Sequence, residues 1–153
     1  MKLKGLIGKE IEDIRVIVKY ESYGLDFADS FIVLKGNIVI GIPWIDEEES
    51  IENEDDLIWE RTLPPEASSI FEGKGNEKLK KLKGKKIINC LYYTDSENGF
   101  IQAEKAFFEL EEEKFITEIT AAPNGTGHAG LWVFYSKEEL EKRYGTNYRR
   151  LYE

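Results

Sequence analysis

The chain is short of cysteine, histidine and methionine, with one of each among 153 residues: Cys90, His128 and Met1. A lone cysteine excludes an internal disulfide. One His and one Cys would leave two positions of a tetrahedral zinc site to carboxylates, so a zinc centre is not expected. No apolar run follows Met1-Lys2-Leu3-Lys4, so no signal peptide is expected. No stretch approaches the roughly 20 apolar residues of a membrane span. Together these absences predict a soluble protein of a reducing, cytoplasmic compartment with no membrane partner. Positive charge is also in deficit, with a formal net charge of −9.

Aromatics are plentiful. Eight Phe, eight Tyr and three Trp within a 41% apolar chain predict a packed globule and not a disordered polymer. A chain of this size buries roughly 68–70% of its unfolded surface, enough for a core without disulfide or metal staples.

One pattern occurs twice. Leu6-Ile7-Gly8-Lys9-Glu10-Ile11 and Leu82-Lys83-Gly84-Lys85-Lys86-Ile87 share L-x-G-K-x-I at an offset of 76. Phe31 and Leu34 meet Phe107 and Leu110 at the same offset. With one inserted residue, Ile38-Val39-Ile40-Gly41-Ile42 then meets Phe115-Ile116-Thr117-Glu118-Ile119. The pattern predicts two diverged copies of one β-rich unit, residues 6–44 and 82–121. Its Leu and Ile are expected in the core and its Gly at a turn, with Lys9 and Lys85 in water.

Local patterns fill in the elements. Ile14, Val16, Val18 and Tyr20 alternate with polar neighbours, which predicts a half-buried strand. A second strand covers 28–35, and Lys35-Gly36-Asn37 has turn chemistry. A third strand places Ile38, Ile40, Ile42 and Trp44 on one face, with Pro43 ending its pairing. Residues 76–83 predict a short helix with Asn76 as cap, a Glu77–Lys81 pair and Gly84 just beyond its end. Its lysines, with Lys85 and Lys86, form a basic cluster that suits a helix C-terminus and can face the acidic segment. The run 87–94 lacks alternation, which predicts a strand buried on both faces. Residues 101–111 predict a long strand with Phe107 and Phe108 on opposite faces. A turn at 111–114, a strand to Ala121 and a last strand over 131–135 follow. Ser136-Lys137-Glu138-Glu139 reads as a capping box opening a helix to Tyr144, ended by Gly145. The tail, with Tyr148, Leu151 and Tyr152, is expected to dock.

The acid excess is local. Residues 46–60 hold nine acids and no base, and the rest of the chain has twenty-one acids against twenty-one Lys and Arg. Such a field repels phosphate backbones, so nucleic-acid binding is not expected. It would attract a basic protein partner, although the plainer reading of such a charge run is a solvated linker between the copies. Trp44 and Trp59 bracket the segment, and aromatics beside charges favour interface centres. The predicted binding residues are Trp44, Asp46, Glu47, Glu48, Glu49, Asp55, Asp56 and Trp59. In size, acidity and β-rich makeup the chain resembles the bacterial immunity proteins that neutralise toxins. That resemblance implies a basic toxin domain as partner and assigns no residue.

Motifs for chemistry are few. Gly125-Thr126-Gly127-His128-Ala129-Gly130 fits G-x-G-x-x-G, but an apolar strand follows it where a dinucleotide site needs a helix. A hairpin loop is the simpler reading. His128 is the only candidate catalytic residue, as a general base in a glycine-rich loop. Cys90, flanked by apolar residues, reads as a buried structural thiol. The acids after Asp46 lack the central Gly of a calcium loop, and no cofactor is implied.

The sequence therefore predicts an α+β protein, mainly antiparallel sheet. Two duplicated three-stranded meanders share one core across a single domain of residues 1–153. The acidic segment and short helix join them over 45–81, and a strand and helix follow over 130–145. The expected function is a small acidic protein-binding module of the immunity or inhibitor kind with a basic partner, and catalysis is not favoured. The alternatives are a ligand-binding protein or enzyme using residues 122–130 with His128, and a structural homo-oligomer subunit.

Overall fold

The computed structural model describes residues 3–18, 28–41, 60–72, 77–93, 106–120, 129–150 and 152. They form two antiparallel sheets and two short helices, an α+β architecture dominated by sheet. The first sheet is ordered β3-β2-β1-β4, with β1 (Ile11–Val18), β2 (Ala28–Leu34), β3 (Ile38–Ile40) and β4 (Ser68–Ser69). The second is ordered β8-β7-β6-β5-β9, with β5 (Ile87–Tyr93), β6 (Ala106–Leu110), β7 (Lys114–Thr120), β8 (Ala129–Phe134) and β9 (Tyr148–Arg150). The helices are α1 (Glu77–Lys80) and α2 (Lys137–Tyr144).

Positions 76 apart take equivalent places in the two sheets. Strand β1 pairs β2 with Ile11 opposite Leu34 and Ile14 opposite Ile32; β5 pairs β6 with Ile87 opposite Leu110 and Cys90 opposite Phe108. Both ladders carry an irregularity at one site, between Ile11 and Asp13 and between Ile87 and Asn89. At each irregularity a side-chain oxygen accepts the next backbone N–H: Ile14 to Asp13 Oδ1 at 2.8 Å and Cys90 to Asn89 Oδ1 at 2.9 Å. Beyond the turn, Ile40 lies opposite Ile32 and Ile116 opposite Phe108. The expected inserted residue is therefore absent, and Lys114, not Phe115, stands where Ile38 does. An apolar-to-apolar match slips by one residue because Lys114 departs from the apolar pattern.

The two sheets meet at a bridge between Glu10 and Lys86. Gly8 N–H donates to the Ile87 carbonyl at 2.7 Å and Ile87 to Lys9 at 2.9 Å. In return Gly84 donates to Ile11 and Ile11 to Lys85, both at 2.8 Å.

Each sheet holds more strands than a three-stranded meander. Strand β4 adds to the free edge of β1, and β9 adds to the free edge of β5. Neither was readable from apolar alternation, since β4 is two serines and β9 is Tyr-Arg-Arg. Side chains fix β9: Arg150 donates to both carboxylate oxygens of Glu109 at 3.0 Å, and Asn89 bonds the backbone N–H and carbonyl of Tyr152. The tail docks as expected.

The main core lies between the sheets. Leu6, Ile11, Ile14, Ile32, Leu34 and Ile40 from one side join Leu82, Ile87, Cys90, Phe108, Leu110 and Ile116 from the other. The outer face of the second sheet forms another cluster, where Leu91, Phe107, Phe115 and Phe134 pack under Leu140 of α2. Phe107 and Phe108 thus serve opposite faces, both fully buried; burying one such ring contributes about 1.5–3 kcal/mol. This two-sided burial explains why β5 shows no clean alternation. In β1 the irregularity between Ile11 and Asp13 lets Ile11 and Ile14 both enter the core; Ile14 and Val16 are buried as expected, whereas Val18 at the end of the strand, expected inward, is exposed.

The helices differ in detail from expectation. Past α1 the chain continues in three-residue turns, with Lys81 donating to Lys78, Leu82 to Leu79 and Lys83 to Lys80. This tighter winding aligns residues three apart, so Glu77 pairs with Lys80 at 3.3 Å and not with Lys81. Ser136 caps α2, its Oγ accepting from Glu139 N–H at 3.1 Å. Glu139 reaches back one residue further than a capping box needs and accepts from Tyr135 N–H at 3.2 Å. Among the described residues no helix is long and apolar enough to cross a membrane.

Candidate functional site

The acidic segment's Trp44, Asp46, Glu47, Glu48, Glu49, Asp55, Asp56 and Trp59 lie outside the described residues, as does His128. Cys90 is buried as the sequence indicated, and burial pushes its thiol up to about 12. A protonated, enclosed sulfur is not a nucleophile. Trp132 is half-buried beside Phe134, with the Arg143 guanidinium 4.3 Å from its ring centre. Among the described residues no group of three or more His, Cys, Asp or Glu side chains could hold a metal ion.

The structure instead gathers side chains that the sequence presents as a helix-end basic cluster. Lys78 of α1, Lys81 and Lys85 beyond it, Glu112 and Lys114 from the β6–β7 turn, and Tyr135 after β8 line one cavity of about 440 Å³. That volume lies within the range of small-molecule sites.

Local folding places each group. The three-residue turns after α1 bury Leu82 and bring the chain to Gly84, where φ is +86°. The chain then reverses, and Lys85 enters alongside the start of β5. From the opposite side comes the turn Glu111–Glu113. Its first N–H donates to the Lys86 carbonyl at 3.1 Å, and Glu111 Oε1 accepts from Lys86 N–H at 2.8 Å. The next two residues take left-handed backbones, Glu112 at φ +61° and Glu113 at φ +56°. A side chain makes that conformation unfavourable. The equivalent turn of the first sheet uses Gly36 and Asn37, which adopt it readily.

This backbone sets Glu112 over the lysines. Its Oε2 lies 3.0 Å from Lys85 Nζ, and its carbonyl accepts from Lys114 Nζ at 3.0 Å. The Lys85 side chain is only 13% exposed, so it does not remain in water as the sequence suggested, whereas Glu112 is 75% exposed. The hydrogen bond and charge of Lys85, helped by Lys114, hold the Glu112 carboxyl below its ordinary range. On the far wall the Lys78 ammonium sits 5.5 Å from the centre of the Tyr135 ring. Burial, then the charge of Glu139, raises the Tyr135 phenol above its ordinary value.

Gly5, Gly36 and Ile38 stand 76 residues before Lys81, Glu112 and Lys114, so those three charges are particular to the second half, whereas Lys2 and Lys9 stand before Lys78 and Lys85. Sequence reasoning found the lysines of α1 and the chain after it but not their meeting with Lys114. The signal was Lys114 itself, a charge where the other half carries an apolar residue.

No known protein family, curated protein or solved structure matches this chain.

Proposed function

We propose that this protein is a non-catalytic binding module that takes an anionic partner in the cleft of Lys78, Lys81, Lys85 and Lys114. One observation carries the reading. A half-buried ammonium, Lys85, lines the cavity, and its carboxylate partner is supplied by a residue held in an unfavourable left-handed backbone. Backbone strain retained beside a charged cavity points to a functional role.

In this reading the chain is one β-unit doubled, fused and diverged. The repeated L-x-G-K-x-I, the constant offset of the ladders and the matched irregularities support the doubling. The second unit has taken on binding, and the first serves as scaffold. An anion titration followed through backbone amide NMR shifts tests the reading. Shifts should concentrate at 78–86 and 111–114 and disappear in Lys85→Gln. Shifts spread elsewhere, or none, would exclude the cleft.

A second reading is supported by the charge pattern of residues 46–60. That segment would meet a basic protein partner, as the resemblance to immunity proteins implies, with charge mainly speeding association. Association with a lysine- and arginine-rich protein should then slow steeply with ionic strength, and neutralising Glu47, Glu48, Asp55 and Asp56 should remove that dependence. A rate indifferent to those four changes would count against it.

A further inference from the structure

We infer that the ligand of this cleft is a soluble molecule carrying a diphosphate group, and that Glu112 is the counter-ion it displaces; the inference rests on the cleft being an anion site. Four ammonium groups and one carboxylate line the cavity, an excess of three positive charges that becomes four once Glu112 withdraws. A phosphoryl group carries roughly −1.5 to −2 charges, so two joined phosphoryls meet that excess within a small volume. Carboxylates would need three separate groups in the same space.

The chemistry of the lining points the same way. Its cations are all lysines, with no arginine among them. Arginine's planar fork selects planar, bidentate contact with carboxylate or phosphate, whereas lysine acts as a compact charge with three rotatable donors and answers to charge density. Several such charges on one cavity suit tetrahedral oxyanions, whose oxygens point in different directions.

Glu112 occupies Lys85 as a ligand oxygen would. Its carboxylate is well exposed, and the turn is anchored through other atoms, by Lys114 on the Glu112 carbonyl and by Glu111 on Lys86. The carboxylate can therefore leave Lys85 without moving the turn. A pair so exposed on one side is weak, and a ligand with more charge replaces it readily.

Titration calorimetry on the full chain with inorganic pyrophosphate, citrate and a poly-glutamate peptide tests this. Pyrophosphate should bind at least about tenfold more tightly than either carboxylate ligand, because its charge of roughly −3 to −4 sits on two joined groups. Glu112→Gln should tighten pyrophosphate binding about two- to fivefold by removing the internal competitor. Lys81→Gln, at an exposed position that leaves folding intact, should weaken it. Citrate or poly-glutamate binding as tightly as pyrophosphate would overturn the diphosphate assignment while leaving an anion site in place. Binding of none of the three would overturn both. Unchanged or weaker binding by Glu112→Gln would remove the counter-ion role. Binding only to vesicles bearing inositol bisphosphate head groups, and not to pyrophosphate, would overturn a soluble ligand.

Discussion

Gly8 and Gly84 hold matching left-handed backbones, at φ +88° and +86°, and each donates its N–H to the first residue of the strand that the other introduces. The sheets are stitched together there, so the cost of adding a side chain falls on the joint. A Cβ at either position would meet nothing within 4 Å, so only backbone strain opposes it. Gly8→Ala and Gly84→Ala should each lower unfolding free energy by about 1 kcal/mol. Urea midpoints check this. Equal losses are expected, and a loss at only one glycine would mean that the two halves of the joint are not energetically alike.

Cys90 connects burial to alkaline stability. Its thiol stays protonated in the folded chain until about pH 12, against an ordinary value of 9.0. Between those values the unfolded chain has released the proton and the folded chain has kept it. Stability therefore falls as pH rises through this window. Cys90→Ala should show a shallower decline from pH 9 to 11 than the parent chain, though its absolute stability is lower through the lost packing. A thiol reagent should label Cys90 only at the rate of unfolding. Rapid labelling of the folded protein would contradict the enclosure of the sulfur.

Much of this architecture was legible because hydrophobic pattern and turn chemistry agree locally. Leu6, Ile11, Leu82 and Ile87 all reach the core, as the repeated L-x-G-K-x-I indicated. Phe107 and Phe108 divide between two faces because strand side chains alternate. What escaped has physical causes. Val18 leaves the inward alternation of Ile14 and Val16 where β1 ends, and no residue type announces it. Strands β4 and β9 are held by pairing and polar side chains, so they carry no apolar signature. The cleft depends on a turn at 111–114 arriving beside a helix about 30 residues earlier, a long-range meeting that spacing does not encode. Residues 46–59 of the acidic segment and His128, which stand out in the sequence, lie outside the described residues.

Arg150 and Glu109 fix the last strand. Glu109 is nearly buried, with a side-chain exposure of 7%, and takes two 3.0 Å bonds from the guanidinium. Removing the arginine leaves a desolvated carboxylate. Arg150→Ala should therefore lower stability by about 2–3 kcal/mol. Arg150→Met with Glu109→Gln should recover part of the loss, since no buried charge then remains. Hydrogen exchange at Leu91 and Tyr93, which pair with β9, should speed in the single variant. Unchanged exchange there would mean that the tail is held without this pair.

The β6–β7 turn offers the sharpest separation of stability from binding. Glu113 takes φ +56° where the first sheet uses Asn37 at +63°, and asparagine tolerates that region better than glutamate. Glu113→Asn should raise stability by roughly 0.5 kcal/mol and leave the cleft's charges as they are, since Glu113 is not among its lining residues. Glu112→Gly also relieves a left-handed backbone but removes the partner of Lys85. Its effect depends on pH. The lowered folded value of the Glu112 carboxyl means that the ion pair stabilises the protein above the ordinary carboxyl pKa of 4.5 and is lost as pH falls through the folded value. The gain from Glu112→Gly should therefore be larger in acid than at neutral pH, whereas that of Glu113→Asn should not vary in this way. Parallel urea titrations at pH 3 and pH 7 measure both. A gain from Glu112→Gly that is the same at the two values would show that its pair with Lys85 contributes nothing to folding.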